Sequence, residues 1–386
     1  MRRIYMDHSA TTPVDPQVIQ AMISTLTDSF GNPSSIHSFG QEAHKLIQKA
    51  RKQVAGLIGA DSEEIVFTSG GTEADNMAII GTAKDRMGRG RHIITSQIEH
   101  HAVLDTCRQL EKEGFEVTYL PVNWFGEVDP ETLARAIRPD TILISIMHAN
   151  NEIGTIQPIA TMGRMARDKG IIFHTDAVQS VGRIPVDVKS LSVDLLSLSG
   201  HKFYGPKGTG ALYVRSGTRL TPLLFGGGQE RKWRSGTENV PGVVGLGLAA
   251  ELARQHLPER SQHLGKLSQT VIDRILAEIP QAYLTGHPQK RLPGHASFVF
   301  QAVEGAAMLV FLDAEGIAVS GGSACTSNSF DPSHVLTALG LNKDAAHSSL
   351  RISLGKDNTL EDVERLMEVM PGIIERQRLL WSLSPH

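Results

Sequence analysis

The chain has 386 residues, 40% hydrophobic and 20% charged, with 37 glycines spread along its length. That is enough for two domains sharing an interface, and too ordinary for a disordered, collagen-like or low-complexity protein. Its 38 Lys+Arg against 41 Asp+Glu leave a net charge of -3, which gives no electrostatic reason to expect nucleic-acid or membrane partners.

Only two cysteines occur, Cys107 and Cys325, so no disulfide framework is implied and a reducing compartment is expected. The opening Met1-Arg2-Arg3-Ile4-Tyr5-Met6 lacks the apolar core of a signal peptide, and the apolar run near Val240 is broken by Pro241 and glycines. A cytoplasmic protein is expected.

In chain order, β-branched runs predict strands at 64–69, 92–96, 116–121, 141–148, 171–176, 194–199 and 210–215. Helical stretches lie between several of them, and Gly114 and Gly170 read as helix C-caps. This alternation predicts an α/β fold with a mostly parallel sheet covered by helices on both faces. A long helix over 242–279 follows, with Pro258 as a candidate break. A smaller α+β region comes next, with strands at 296–301, 317–320 and 349–354 and helices at 305–314, 332–339 and 360–380.

Residues with chemistry sit at the ends of these strands. Phe67-Thr68-Ser69-Gly70-Gly71-Thr72 runs from a strand into a helix start, where free backbone N–H groups and the Thr72 hydroxyl suit a phosphate. Alone, it is equally a plain strand–helix turn. His100 follows the next strand, placed to stack on a cofactor ring and relay protons, or simply to bond within its turn. Asn150-Asn151-Glu152 closes the 141–148 strand, so Asn151 can reach a cofactor oxygen or a substrate carboxylate.

Asp176 ends its strand in the crevice where α/β sheets bind ligands, fit to hold a pyridine nitrogen protonated or to N-cap the next turn. Gln179 lies three residues on, within reach of a phenolic oxygen. Lys202, in Ser199-Gly200-His201-Lys202 at the end of an apolar run, suits a Schiff base with an aldehyde cofactor, with Ser199 and His201 as further phosphate contacts. Arg351 alternates with Leu350 and Ile352, so it is either a solvent-facing arginine or a bidentate carboxylate clamp. Cys107 shares a helical face with Val103, Thr106 and Leu110 and reads as an inert core thiol. Cys325, among small residues with little to pack it down, reads as accessible and reactive. The 16 histidines show no metal-binding spacing.

Together these residues resemble the pyridoxal-phosphate (PLP) dependent cysteine desulfurases of the NifS/IscS type, in the class V aminotransferase group. The resemblance runs from Tyr5-Met6-Asp7-His8-Ser9-Ala10-Thr11-Thr12-Pro13 to the Arg351 strand, and its most specific match is Gly322-Ser323-Ala324-Cys325-Thr326-Ser327. It implies PLP fold-type I, with a large domain over 15–255 and a small one made of 1–14 with 256–386. Lys202 would be the cofactor lysine, Asp176 the pyridinium partner and Gln179 the contact to the phenolic oxygen. Gly71, Thr72, Ser199 and His201 would hold the phosphate, and Thr237 would reach the phosphate of a neighbouring subunit in a homodimer. Asn151 and Arg351 would bind the carboxylate of L-cysteine, His100 would manage protons, and Cys325 would leave with the sulfur as a persulfide. The recipient would be an iron–sulfur scaffold or another acceptor protein. The chain ends soon after Trp381, where housekeeping members often carry a longer tail that docks the scaffold. A selenocysteine lyase or another fold-type I PLP enzyme is the alternative.

Overall fold

The computed structural model describes residues 2–321 and 332–383. Among these residues seven strands form the main sheet, in the spatial order Ile65–Thr68, Gly210–Val214, Leu195–Ser199, Ile172–Asp176, Thr141–Ser145, His92–Ser96 and Glu116–Leu120. Gly210–Val214 runs antiparallel to both its neighbours, and every other pairing is parallel. The sheet is thus mostly parallel, as expected, and six of its strands are buried at every position. Gly114 and Gly170 take positive φ (86° and 67°), and the following Phe115 and Ile171 N–H groups return to Leu110 and Ala166, closing Schellman-type ends.

The helix Val240–Glu278 is continuous through Pro258, so the expected break does not occur. Pro258 lies on an exposed face, where water can satisfy the carbonyl freed at Arg254. Its first half (Val243, Leu246, Ala250, Ala253) packs into the core of the main sheet. Its second half (Leu264, Leu267, Val271, Ile275) packs into a second core with Phe298, Ile352 and Leu366.

That second core covers a three-stranded antiparallel sheet of Ser349–Ser353, His295–Phe300 and Ala282–Leu284. The chain's start joins it. Ile4–Tyr5 pairs in parallel with Ile317–Ala318, and Met6 accepts from Ser353 N–H at 2.8 Å. The segment after Met6 then crosses to the carboxyl edge of the main sheet, where Arg183 donates to the His8 carbonyl and Thr12 N–H donates to the His201 carbonyl.

Candidate active site

The carboxyl ends of the parallel strands and the start of helix Gly71–Arg86 enclose a cavity of about 270 Å³. Gly71, Thr72, His100, Asn151, Asp176, Gln179, Ser199, His201, Lys202 and Arg351 all line it. Two residues from the sequence analysis are not in this set. Thr237 is exposed and lies outside the cavity lining, and Cys325 falls outside the described residues.

Lys202 ends a short 3-10 turn after strand Leu195–Ser199, and its Nζ donates to the Ser9 carbonyl at 2.6 Å and the Ala10 carbonyl at 2.9 Å. The crossing N-terminal segment therefore aims the amine. Gln179 Nε2 also donates to the Ser9 carbonyl, at 3.0 Å, while Gln179 Oε1 is buried with no hydrogen-bond partner. Asp176 Oδ1 accepts from Val178 N–H at 2.9 Å. Burial raises its carboxyl above the usual range, opposed by the charges of His100 and Lys202.

His100 is the N-cap of helix His101–Lys112, its Nδ1 accepting from Ala102 N–H at 3.1 Å. In the neutral ring that bond leaves the proton on Nε2, and burial lowers the pKa. Arg351, which alternation left as either surface arginine or clamp, is 2% exposed. Its Nη2 bonds Asp7 Oδ1 at 2.8 Å and its Nη1 donates to the Asn151 carbonyl at 3.0 Å. His201 Nδ1 lies 3.1 Å from Thr11 Oγ1, and burial holds its ring down at about 4.

Where helix Gly71–Arg86 meets the cavity, the N–H groups of its first turn have no carbonyl ahead of them within the helix. A Cβ on Gly71 would stand 2.6 Å from Val178 Cγ2, so any larger residue there would have to displace the Val178 side chain. Glu73 accepts from Ser69 N–H at 2.8 Å and pairs with Arg234 at 2.8 Å, tying the Thr237 segment to this helix.

Beneath the cavity lies a polar chain that the sequence analysis did not find. Ser145 Oγ meets His174 Nδ1 at 2.8 Å, and His174 Nε2 meets Ser197 Oγ at 3.0 Å. Ser197 also hydrogen-bonds the fully buried Asp75, which lines the cavity. Burial lifts the Asp75 carboxyl well above its usual range, and the charge of Asp176 adds to the rise. Burial also holds His174 down at about 3, a neutral ring. The signal was present: His174 and Asp176, like Ser197 and Ser199, occupy alternate positions of their strands, a period-two polar stripe. Cys107 is fully buried, and burial pushes its thiol up to about 12, as befits a core residue.

The model of the family described as aminotransferase class-V matches residues 4–366. The chain belongs to that family. Within it, the chain is 55% identical over 384 residues to a protein named cysteine desulfurase IscS from Methanosarcina thermophila, covering 100% of this chain and 95% of the relative. A protein of the same name from Dictyoglomus turgidum is 52% identical, with 100% and 97% covered. Among solved structures, a NifS-like protein superposes with a TM-score of 0.91 at 40% identity, covering 97% of this chain and 100% of the other. A structure titled SspA in complex with cysteine gives 0.82 at 40% identity, with 92% and 100% covered. Fold-type I, the class to which these PLP proteins belong, is therefore the fold of this chain.

The cavity suits PLP on its own evidence. It offers a buried carboxylate for a ring nitrogen, an amide that can donate to a phenolic oxygen, a glycine-floored helix start for a phosphate and an amine for an aldehyde. Among the described residues no cluster of three or more His, Cys, Asp or Glu could hold a metal, and no helix is long and apolar enough to cross a membrane.

Proposed function

We propose that this chain is a PLP-dependent cysteine desulfurase. It converts L-cysteine to L-alanine, leaves the sulfur as a persulfide on Cys325, and supplies it to iron–sulfur cluster assembly and other acceptors. The observation that carries the reading is the one cavity that brings Lys202, Asp176, Gln179, the Gly71 cradle and Arg351 together, in a chain 55% identical to a cysteine desulfurase.

Lys202, Asp176 and Gln179 would hold the cofactor's aldehyde, ring nitrogen and phenol, and Gly71, Thr72, Ser199 and His201 its phosphate. Bound there, PLP supplies an electrophilic aldehyde and a protonated ring that withdraws electrons from the substrate's Cα. Arg351, with Asn151, grips the substrate carboxylate; its guanidinium is already oriented by Asp7 and the Asn151 carbonyl. Lys202, steered by the Ser9 and Ala10 carbonyls, takes the α-proton. His100, neutral with its proton on Nε2, exchanges protons at the sulfur step. The Cys325 thiolate bonds to the substrate sulfur, the Cβ–S bond breaks, and Cβ gains a proton so that alanine departs.

The division into 15–255 and 1–14 with 256–386 belongs to this reading and is supported by the two cores that meet along helix Val240–Glu278. So does a homodimer in which Thr237 reaches the neighbouring phosphate. Its support is exposed apolar bulk at Leu26, Phe30, Ile36, Phe39 and Phe225, the last 83% exposed. A reducing, cytoplasmic setting suits a catalytic thiol.

The test is purified protein with PLP and labelled L-cysteine, sized by sedimentation. The expected result is alanine, label on Cys325 and a dimer. Full sulfide release by Cys325→Ala would sink the assignment of the persulfide, amino transfer to a keto acid would sink the reaction, and a monomer at full activity would sink the shared site.

A further inference from the structure

The run carrying Cys325 leaves the described residues after Gly321 and rejoins them at Pro332; one root is bonded to Arg351 of the cavity and the other to Glu152, which follows the cavity residue Asn151. On the near side, Ser320 and Arg351 exchange two backbone hydrogen bonds, at 3.2 and 2.7 Å. On the far side, Ser333 N-caps helix His334–Ala338 and donates its hydroxyl to Glu152 Oε2. His334 Nε2 also lies 2.9 Å from the Glu99 carbonyl.

Glu152 follows Asn151 directly and is 6% exposed. Its turn is held by other bonds, since Asn150 Oδ1 accepts from the N–H groups of Glu152 and Ile153. Nothing in that turn calls for a carboxyl side chain, and burying one carries a desolvation cost. The side chain reaches across to Ser333 and faces the charge of Arg351. Both roots of the cysteine run are therefore referenced to one pair, Arg351 and the Asn151–Glu152 turn.

We propose that Glu152 is a positioning residue which, through Ser333, sets the far root of the Cys325 run in register with the Arg351–Asn151 carboxylate clamp. The consequence is kinetic. A thiolate delivered from a chain anchored at both ends beside the substrate attacks at a high effective concentration, and freeing one root dilutes it. The inference rests on the reading that Cys325 receives the sulfur.

The experiment compares Glu152→Ala, Ser333→Ala and the conservative Glu152→Gln, which keeps an acceptor oxygen for Ser333. Two quantities are read on PLP-loaded protein: the first-turnover rate of labelled persulfide on Cys325, and the affinity for L-alanine from its change in the absorption spectrum. L-Alanine needs the carboxylate clamp but offers no sulfur. Loss of the Ser333–Glu152 hydrogen bond predicts persulfide formation slowed up to about tenfold in both alanine variants, with L-alanine affinity within about twofold of wild type and Glu152→Gln close to it in both. Ser333→Ala, a single-hydroxyl change, carries the test if Glu152→Ala does not fold.

Undiminished persulfide formation in the alanine variants overturns the proposal. So does a parallel loss of L-alanine affinity, which would make Glu152 a support for the clamp alone. Wild-type protein that puts no label on Cys325 overturns the functional reading and the tether with it, a result distinct from the other two.

Discussion

Glu230→Ala separates two roles for a deeply buried arginine–carboxylate pair. Arg51 and Glu230 meet in a fork at 2.6 and 2.8 Å, with side chains 6% and 3% exposed. Glu230 also accepts from Phe67 N–H at 2.9 Å, and Arg51 donates to the Ile65 carbonyl at 2.7 Å, so the pair grips the strand that leads into the phosphate cradle. Three successive non-glycine residues, Glu230, Arg231 and Lys232, have φ of 43°, 57° and 68°. Each costs roughly 1–2 kcal/mol in that left-handed region, about 3 kcal/mol or more together. Removing one partner of a buried pair costs about 3–5 kcal/mol. If the carboxylate pins the turn, its loss lets the turn relax, the two figures largely cancel, and a net of about 1–2 kcal/mol remains. With an unfolding entropy of about 2.1 cal/mol/K per residue, that lowers Tm by about 2 °C, whereas an unrelieved loss lowers it by about 5 °C. Calorimetry supplies Tm, and limited trypsin digestion reports cleavage after Arg231, Lys232 and Arg234. The expected result is a small fall in Tm with much faster cleavage there. A fall near 5 °C with unchanged cleavage refutes the reasoning: the pair would then stabilise the globule and not hold the turn.

Gly71→Ala puts a Cβ 2.6 Å from Val178 Cγ2. Overpacking of about 1–3 kcal/mol predicts PLP affinity weakened about tenfold in a titration of apoprotein, restored in part by adding Val178→Ala; unchanged affinity would mean the cradle gives way freely. His148, held by burial at about 4 against an ordinary 6.5, carries a pH signature. As pH falls the unfolded chain takes up this proton near 6.5 and the folded chain only near 4, so the stabilisation is complete above pH 6.5 and is lost between 6.5 and 4. The loss is about 3 kcal/mol. Urea midpoints of wild type and His148→Gln at pH 7 and pH 4 should therefore converge or cross on acidification, and parallel shifts would contradict the burial argument.

What could be read from the sequence was what local pattern decides. All seven strands of the main sheet announce themselves as short β-branched or apolar runs, and the Gly114 and Gly170 caps as glycines after charged helix ends, because each is set within a few residues. Ile4–Tyr5 and Ala282–Leu284 were missed because two- and three-residue strands exist only through their partners, Ile317–Ala318 and His295–Phe300. Arg351 was left between two readings for a related reason. Alternation shows only that it is off the Leu350 face, and its burial is made by Asp7, 344 positions away. Asp75 was missed because, inside Thr72-Glu73-Ala74-Asp75-Asn76, it looks like helix surface until the sheet closes beneath it.

At His100 and Asp176 the structural and chemical alternatives both hold, and the first makes the second possible. His100 caps a helix through Nδ1, and the same bond settles which nitrogen carries the proton of the neutral ring. Asp176 takes the Val178 N–H on Oδ1, as a turn-capping carboxylate would, and that bond fixes the plane of its carboxyl group. Charge is then allotted by long-range neighbours. Asp75 and Asp176 are both buried, and the charge of Asp176 adds to the rise that burial imposes on Asp75, so a single negative charge between them is favoured over two. Asp176 faces the cationic Lys202 and accepts a backbone N–H, while Asp75 has the Ser197 hydroxyl and a neutral His174 nearby. The charge therefore rests on Asp176 and the proton on Asp75. A ring nitrogen set against Asp176 meets an anion that keeps it protonated; set against Asp75 it would meet an acid that could only share a proton with it.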